Sequence, residues 1–339
     1  MTRRIRLGVL TRVYAPEAST HVLHDTLELI EAAEALGFDS AWVAQHHFGS
    51  ETGRLPSPLV LLAAAARRTQ RIALGTGVLV LPLESPLRVA EDAAVLDALS
   101  GGRVQLGVGA GFEPEVFRAF GRDFDARATL QADALATLRR ALDGAPLVNA
   151  DLTLQPPAPT LAARLWQATG DADAVARNGH GLIVARLRPE PGGEAALIAR
   201  YRAAWRHPSA PRVALVRAIV PGADAASVES ALAPDILRYA ARLAHAAGTP
   251  PAGPADVGAL LDRFGVLRGT PEDIAAALDA DSALTDATEL VVQVQTASTS
   301  HRDALRRIEV LARTIGPALG WTPAERTDAL PSTSVALTT

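Results

Sequence analysis

A chain of 339 residues has room for one large α/β barrel or for two domains. It contains no cysteine, which excludes disulfides, thiol catalysis and thiolate metal sites. Its formal charge of −4, with no basic block, gives nucleic acid no footing, and its longest aliphatic run, Leu59 to Ala66, is far too short to span a bilayer.

At the N-terminus, Arg3, Arg4 and Arg6 flank and interrupt the apolar stretch Ile5 to Leu10, which is too short for a signal core. The expectation is a soluble, cytoplasmic protein. Alanine dominates the apolar residues and aromatics are few, which suits closely packed helices. Ile5 to Leu10 reads as the first strand. Thr20 to Leu36 carries Leu23, Leu27 and Ile30 at helical spacing and stops at Gly37. Ser40 to Ala44 is the second strand and delivers Gln45-His46-His47-Phe48 to its carboxyl end. Pro58 to Arg68 is the next helix.

Arg71 to Gly111 is the most informative stretch. Ile72 to Val80 is an apolar strand with Gly75 and Gly77 inside it, where glycine signals a bend or a close backbone approach. Ser85-Pro86 reads as an N-cap and first helical residue, and Gly101-Gly102 ends that helix. Val104 to Val108 is the following strand and leaves through Gly107-Val108-Gly109-Ala110-Gly111. A strand, a crossover helix and a strand imply a parallel pair. In parallel α/β folds, the carboxyl edge is where ligands sit.

Helices are expected at Glu113 to Phe120 and Arg127 to Leu142. The proline-rich Gly144 to Leu161 reads as a long loop rather than a domain linker, because strand–helix alternation resumes beyond it. Strands follow at Arg164 to Ala168, Leu182 to Ala185, Arg212 to Val220 and Glu289 to Gln295. Helices intervene at Ala172 to Asn178 and Glu194 to Trp205, and His301 to Ile315 closes the chain. Between the last two strands lies an excursion, residues 221–269, with helices expected at Ala226 to Leu232 and Asp235 to Ala247 and a sparse stretch at Gly248 to Pro254. A further helix is expected at Pro271 to Leu278. Eight such units predict a (β/α)8 barrel, with a doubly wound sheet as the alternative. Residues 1–326 are expected to form one barrel domain and 327–339 a disordered tail.

Few residues here could carry chemistry. Strand geometry turns only one of His46 and His47 toward a pocket at the carboxyl face, where an imidazole can exchange a proton with a substrate carbonyl. The other reading is two loop histidines bonded to nearby carbonyls. No acidic cluster accompanies them, so no metal site is expected. Gly107 to Gly111 has GxGxG spacing rather than GxGxxG, and no acidic residue ends a following strand, which argues against a dinucleotide loop. Thr169-Gly170-Asp171 opens a helix whose N-terminus could bind phosphate, or Asp171 could simply cap it, and Asp171 and Asp173 place negative charge there. Asp97 is expected to pair with Arg103.

Ala41 to Phe48, Arg71 to Gly111 and Phe117-Arg118-Ala119-Phe120-Gly121, in this order, resemble the bacterial luciferase-like flavin monooxygenases, and among them the FMN-dependent luciferase-like monooxygenases. The resemblance is dense from Ile5 to Leu142, looser from Leu165 to Val184, and returns from Gly269 to Gly320. It implies a barrel that takes reduced FMN and O2 and inserts one oxygen atom into a small organic substrate. It implies His46 as the catalytic histidine, with His47 structural. It implies a non-prolyl cis peptide at Gly77-Val78, so that Thr76, Gly77 and Val78 border the isoalloxazine and Gly109 lies beneath it. It implies a phosphate held by Arg127 and by the Thr169-Gly170 turn, although Ala110 stands where luciferase subunits carry an arginine. Reduced flavin would come by diffusion from a separate reductase, since no second nucleotide motif is present, and a homodimer is expected. A deazaflavin-dependent oxidoreductase or a non-catalytic flavin binder would share the same fold.

Overall fold

A computed structural model describes residues 5–14, 21–48, 52–149, 151–185, 193–246 and 256–324. Ten strands form one sheet: β1 Arg6–Thr11, β2 Ser40–Val43, β3 Ala73–Thr76, β4 Leu79–Val80, β5 Val104–Gly109, β6 Leu165–Ala168, β7 Gly181–Ala185, β8 Val213–Pro221, β9 Val266–Gly269 and β10 Glu289–Gln293. Their order is β10-β1-β2-β3-β5-β6-β7-β8, every pairing is parallel, and β10 also pairs with β8, from Glu289 opposite Ala214 to Gln293 opposite Ala218. The sheet therefore closes on itself. The eight-stranded barrel is as expected, and the doubly wound alternative falls because β10 inserts between the first strand and β8.

Alternation along the strands sorts the side chains into two layers. Leu7, Val9, Ala41, Val43, Leu74, Val104 and Leu106 face outward into the apolar layer beneath the helices. Leu10, Trp42, Trp166, Ile183, Ala214 and Val291 fill the barrel interior. Trp42 meets Trp166 edge-on, with ring centres 5.5 Å apart, an arrangement worth about 0.5–1.5 kcal/mol beyond burial. Gly75 and Gly181 make that layer possible, because a Cβ at either would fall inside the ring of Trp42 or Trp166. Gly75 thus makes room for a core tryptophan, not for a ligand. Below this layer Trp42 Nε1 donates to Ser40 Oγ at 2.8 Å, and Ser40 donates in turn to the buried Glu289. A solid floor is the result, so any ligand must sit above it.

The central strand–helix–strand unit is as read, with differences in detail. Helix Pro86–Ser100 starts at Pro86 after Ser85 and ends at Gly101, whose φ of 67° only glycine adopts freely. The strand expected from Ile72 to Val80 is interrupted, since β3 ends at Thr76 and β4 begins at Leu79, with the Gly77-Val78 peptide between them in the cis form. Asp97 pairs with Arg164 at 2.7 Å rather than with Arg103. Arg103 instead donates to the carbonyls of Ala66, Thr69, Ile72 and Ser100.

The excursion departs further from expectation. The two helices predicted on either side of Pro234 are one helix, Ala225–Ala246, with the proline inside it. Its apolar face, Val228, Leu232 and Ile236, packs on Val220 and Leu261, and that burial outweighs the lost backbone bond. The chain then forms helix Val257–Arg263 and β9, which pairs in parallel with the far end of β8, Ala218 to Pro221. Neither element was expected. Gly248 to Pro254 and the 327–339 tail lie outside the described residues. No described helix is long and apolar enough to cross a membrane.

Candidate functional site

Above the tryptophan layer the carboxyl ends of the strands enclose a cavity of about 440 Å³. Its floor is Leu10, Ala44, Gly77, Val78, Gly109, Ala168 and Ile183, and its roof is Leu232, Ile236, Tyr239, Leu261 and Phe264 from the excursion. The excursion therefore covers the carboxyl end of the barrel.

His46 lines this cavity and His47 does not. The first step off β2 explains the difference. His46 N donates to Leu55 O at 2.9 Å, which fixes the backbone and turns the ring inward against the edge of Phe112. Among the described residues nothing hydrogen-bonds the His46 ring. Burial, and then the charges of Arg12, Arg242 and His47, hold its pKa well below the usual 6.5, so the imidazole is neutral near pH 7. His47 packs its ring on Phe120, with centres 4.8 Å apart, and its buried Nε2 has no hydrogen-bond partner among the described residues. Gln45, between strand and histidines, accepts from Val80 N at 2.7 Å and donates to Glu84 and Pro56 O. It thereby braces the chain just beyond the cis peptide.

Gly77, Val78 and Gly109 present backbone and one isopropyl group to the cavity, a flat surface on which a planar ring can lie. Gly109 has no room for a side chain, because a Cβ there would come within 2.8 Å of Val78 Cγ2. Thr76 is not on the cavity wall. Its hydroxyl donates to Gly107 O at 2.7 Å and accepts from Gly107 N at 2.9 Å, so it clasps β3 to β5. Thr169 lines the cavity and Gly170 does not. Asp171 caps the following helix through Ala174 N at 3.0 Å, and Asp173 pairs with Arg200 at 2.6 Å, so both carboxylates have partners of their own. Arg127 lies off the wall, with its guanidinium 4.1 Å from the centre of the Phe124 ring and one N–H donated to Phe124 O. Its other donors are unused among the described residues.

Three features of the site were not anticipated. Arg12, immediately after β1, reaches the cavity and donates to the Tyr14 hydroxyl at 3.1 Å. Tyr239, from the long helix, faces it. Asp235 from the same helix accepts from Ser298 N, Ser298 Oγ and Arg238, and these bonds hold its pKa below the usual value against the effect of burial. A basic residue at the carboxyl end of a strand was the available signal for Arg12. The tyrosine and aspartate had none, because they come from an element with no fixed place relative to the barrel.

Fold and cavity together define a (β/α)8 barrel with a cavity at its carboxyl mouth. Within that class the chain belongs to the luciferase-like monooxygenase family, matching it over residues 4–288. It is 42% identical over 118 residues to 4-hydroxyprotoasukamycin monooxygenase of Streptomyces nodosus subsp. asukaensis, covering 35% of this chain and 32% of that protein. The chain spans about a third to a half of the length of the curated relatives it matches. Monooxygenase RslO1 of Streptomyces bottropensis superposes with a TM-score of 0.75 at 24% identity, over 93% of this chain and all of that one. The oxygenating constituent of 3,6-diketocamphane monooxygenase from Pseudomonas putida, solved with FMN, superposes at 0.73 and 17% identity, over 93% and 98%. Coenzyme F420-dependent tetrahydromethanopterin reductase of Methanopyrus kandleri shares the fold at 0.68 and 17% identity, over 93% and 99%.

Proposed function

We propose that the chain is an FMN-dependent monooxygenase that uses reduced FMN and O2 to oxygenate a small, largely apolar organic substrate. The observation that carries this is the neutral His46 ring, without a hydrogen bond among the described residues, on the same cavity as the flat Gly77-Val78 and Gly109 wall. The chemistry of that wall suits an isoalloxazine, with exposed backbone at Gly77 and Gly109 and hydrocarbon at Val78. Gly77, Val78 and Gly109 would carry the ring, with Thr76 holding β3 and β5 in register behind it. The Thr169-Gly170 turn and the unused donors of Arg127 would hold the phosphate. The chemistry supplied by bound reduced FMN is the activation of dioxygen. His46 takes up a proton at a ring nitrogen and returns that same proton later, a role that requires the unprotonated resting form at working pH. The apolar roof keeps water from the reacting atoms.

A monooxygenase at 42% identity over 118 residues supports oxygen chemistry over deazaflavin hydride transfer, which is represented by a likeness in fold at 17%. Direct titration decides between them. The purified chain is expected to bind FMN saturably and the deazaflavin coenzyme weakly, with FMN as the mass of any co-purifying ligand. Tight binding of the deazaflavin and none of FMN would sink the reading. A separate reductase supplies the reduced cofactor in this scheme, and a homodimer and a cytoplasmic location remain part of the proposal.

A further inference from the structure

The cavity holds a cation for which the reaction proposed above has no use. Arg12 follows β1, its guanidinium donates to the Tyr14 hydroxyl at 3.1 Å, and its central carbon lies 5.9 Å from the centre of the Tyr239 ring. Among the described residues no carboxylate pairs with it. The carboxylates in reach of the mouth are engaged elsewhere: Asp235 by Ser298 and Arg238, and Glu113 by Arg242 at 2.7 Å. Burial works against the charge of Arg12, but Tyr14 and Tyr239 more than offset it, and the group stays cationic. A partly buried charge without a counter-ion is unfavourable until an anion arrives.

Topology says which anion this is not. In the closed order β1, β2, β3, β5, β6, the strand that ends in Arg12 lies four places from β6, which is halfway round the eight-stranded ring. The Thr169-Gly170 turn proposed for the phosphate is therefore across the mouth from Arg12. His46, by contrast, follows the neighbouring strand β2. The walls on the roof side are hydrocarbon: Leu232, Ile236, Leu261 and Phe264.

We propose that Arg12, flanked by Tyr14 and Tyr239, is the recognition site for a carboxylate on the substrate, so that the substrate is a hydrophobic organic acid with its head beside His46 and its body under the roof. A guanidinium fork matches the two oxygens of a carboxylate, and the tyrosines fix the fork in place. Calling the ligand a substrate rests on the monooxygenase reading, but the anion site can be measured without any cofactor.

The test is equilibrium binding of 2-naphthoate and its neutral isostere 2-naphthamide to the full chain without flavin, alongside FMN titrations of the same variants. The carboxylate is expected to bind about tenfold or more tightly than the amide, as one charge-assisted contact provides. Arg12→Met should bring the two affinities together and leave FMN affinity unchanged. Arg12→Lys, which keeps the charge and loses the fork, should retain part of the preference and guards against a variant that fails to fold. Equal affinities in the unaltered chain, no saturable binding of 2-naphthoate, or a preference that survives Arg12→Met would overturn the assignment. So would loss of FMN affinity in Arg12→Met, which would give Arg12 to the cofactor. If FMN never binds but the naphthoate preference follows Arg12, the anion site stands and the monooxygenase reading fails.

Discussion

His46 opens on the cavity while His47, one residue on, is packed between Phe48 and Phe120. Substitution should separate them. His46→Ala is expected to lower turnover by roughly 10²–10⁴-fold, the usual contribution of a positioned acid or base, while FMN affinity shifts little. His47→Ala should act mainly on thermal stability. Because burial and the charges of Arg12, Arg242 and His47 hold the His46 pKa well below 6.5, the acid limb of kcat/KM should lie well below that value. A limb centred near 6.5 would show that another group is the base. Arg127→Ala should raise the FMN dissociation constant about tenfold, the loss of one charge-assisted contact. An unchanged value would mean that the guanidinium does no more than stack on Phe124. Strand alternation made it legible that only one of the two neighbours would face inward, while the choice of His46 came from the family resemblance. Arg12 had only a weak signal, a lone basic residue at the carboxyl end of a strand with no spacing to mark it.

At the scale of elements, the helix Ala225–Ala246 spans the mouth and is tied down on two sides. Asp235 binds the Ser298 loop after β10, and Arg242 reaches Glu113 after β5. Asp235→Ala removes the first tie and leaves Ser298 without its acceptor. Amide exchange in residues 225–246 should then quicken while exchange in β1, β2 and β10 stays as it was, and equal acceleration throughout would show that the helix is part of the barrel's cooperative unit. This helix was read as two because proline inside a helix is ordinarily a break of about 3 kcal/mol. Local sequence records that penalty but not the apolar partners across Val220 and Leu261 that outweigh it. β9 was missed for a related reason, since four residues that pair only with the end of β8 have no pattern of their own. Glycines show the same limit. Gly75 and Gly170 look alike in sequence, yet a Cβ at Gly75 falls inside Trp42 and one at Gly170 meets nothing within 4 Å. Gly75→Ala should destabilise by about 1–3 kcal/mol or more, and Gly170→Ala by about 0.5 kcal/mol or less, in denaturant titrations.

For the whole molecule, eight apolar runs alternating with helical stretches made a barrel readable, but its closure over the doubly wound alternative shows only in the pairing of β10 with β8. Its response to acid was not readable, because it depends on which histidines the fold buries. Three are held below their usual pKa, each first by burial: His46, His47 and His180, the last lowered to about 3, with Arg139, Arg212 and His207 adding to the effect. His180 is 2% exposed and its Nδ1 sits 2.8 Å from Gln167 Nε2, a contact that needs the unprotonated nitrogen as acceptor. In the unfolded chain each imidazole protonates near 6.5, whereas in the folded chain it resists. The unfolded state therefore binds more protons below 6.5, and stability falls as pH falls, by up to about 1.4 kcal/mol per pH unit for each such group. For His180 this window runs from 6.5 down to about 3. Glu34 and Asp235, whose folded pKa values lie below 4.5 and 3.8, add a loss of the same sign only at lower pH. Between about pH 6.5 and 5 the slope thus belongs to the histidines. Urea titrations across that interval should show the midpoint falling with acidification in the unaltered chain and falling less steeply in His180→Gln, which cannot take up the proton. Parallel slopes for the two would mean that His180 protonates in the folded state, and that its burial against Gln167 costs nothing in acid.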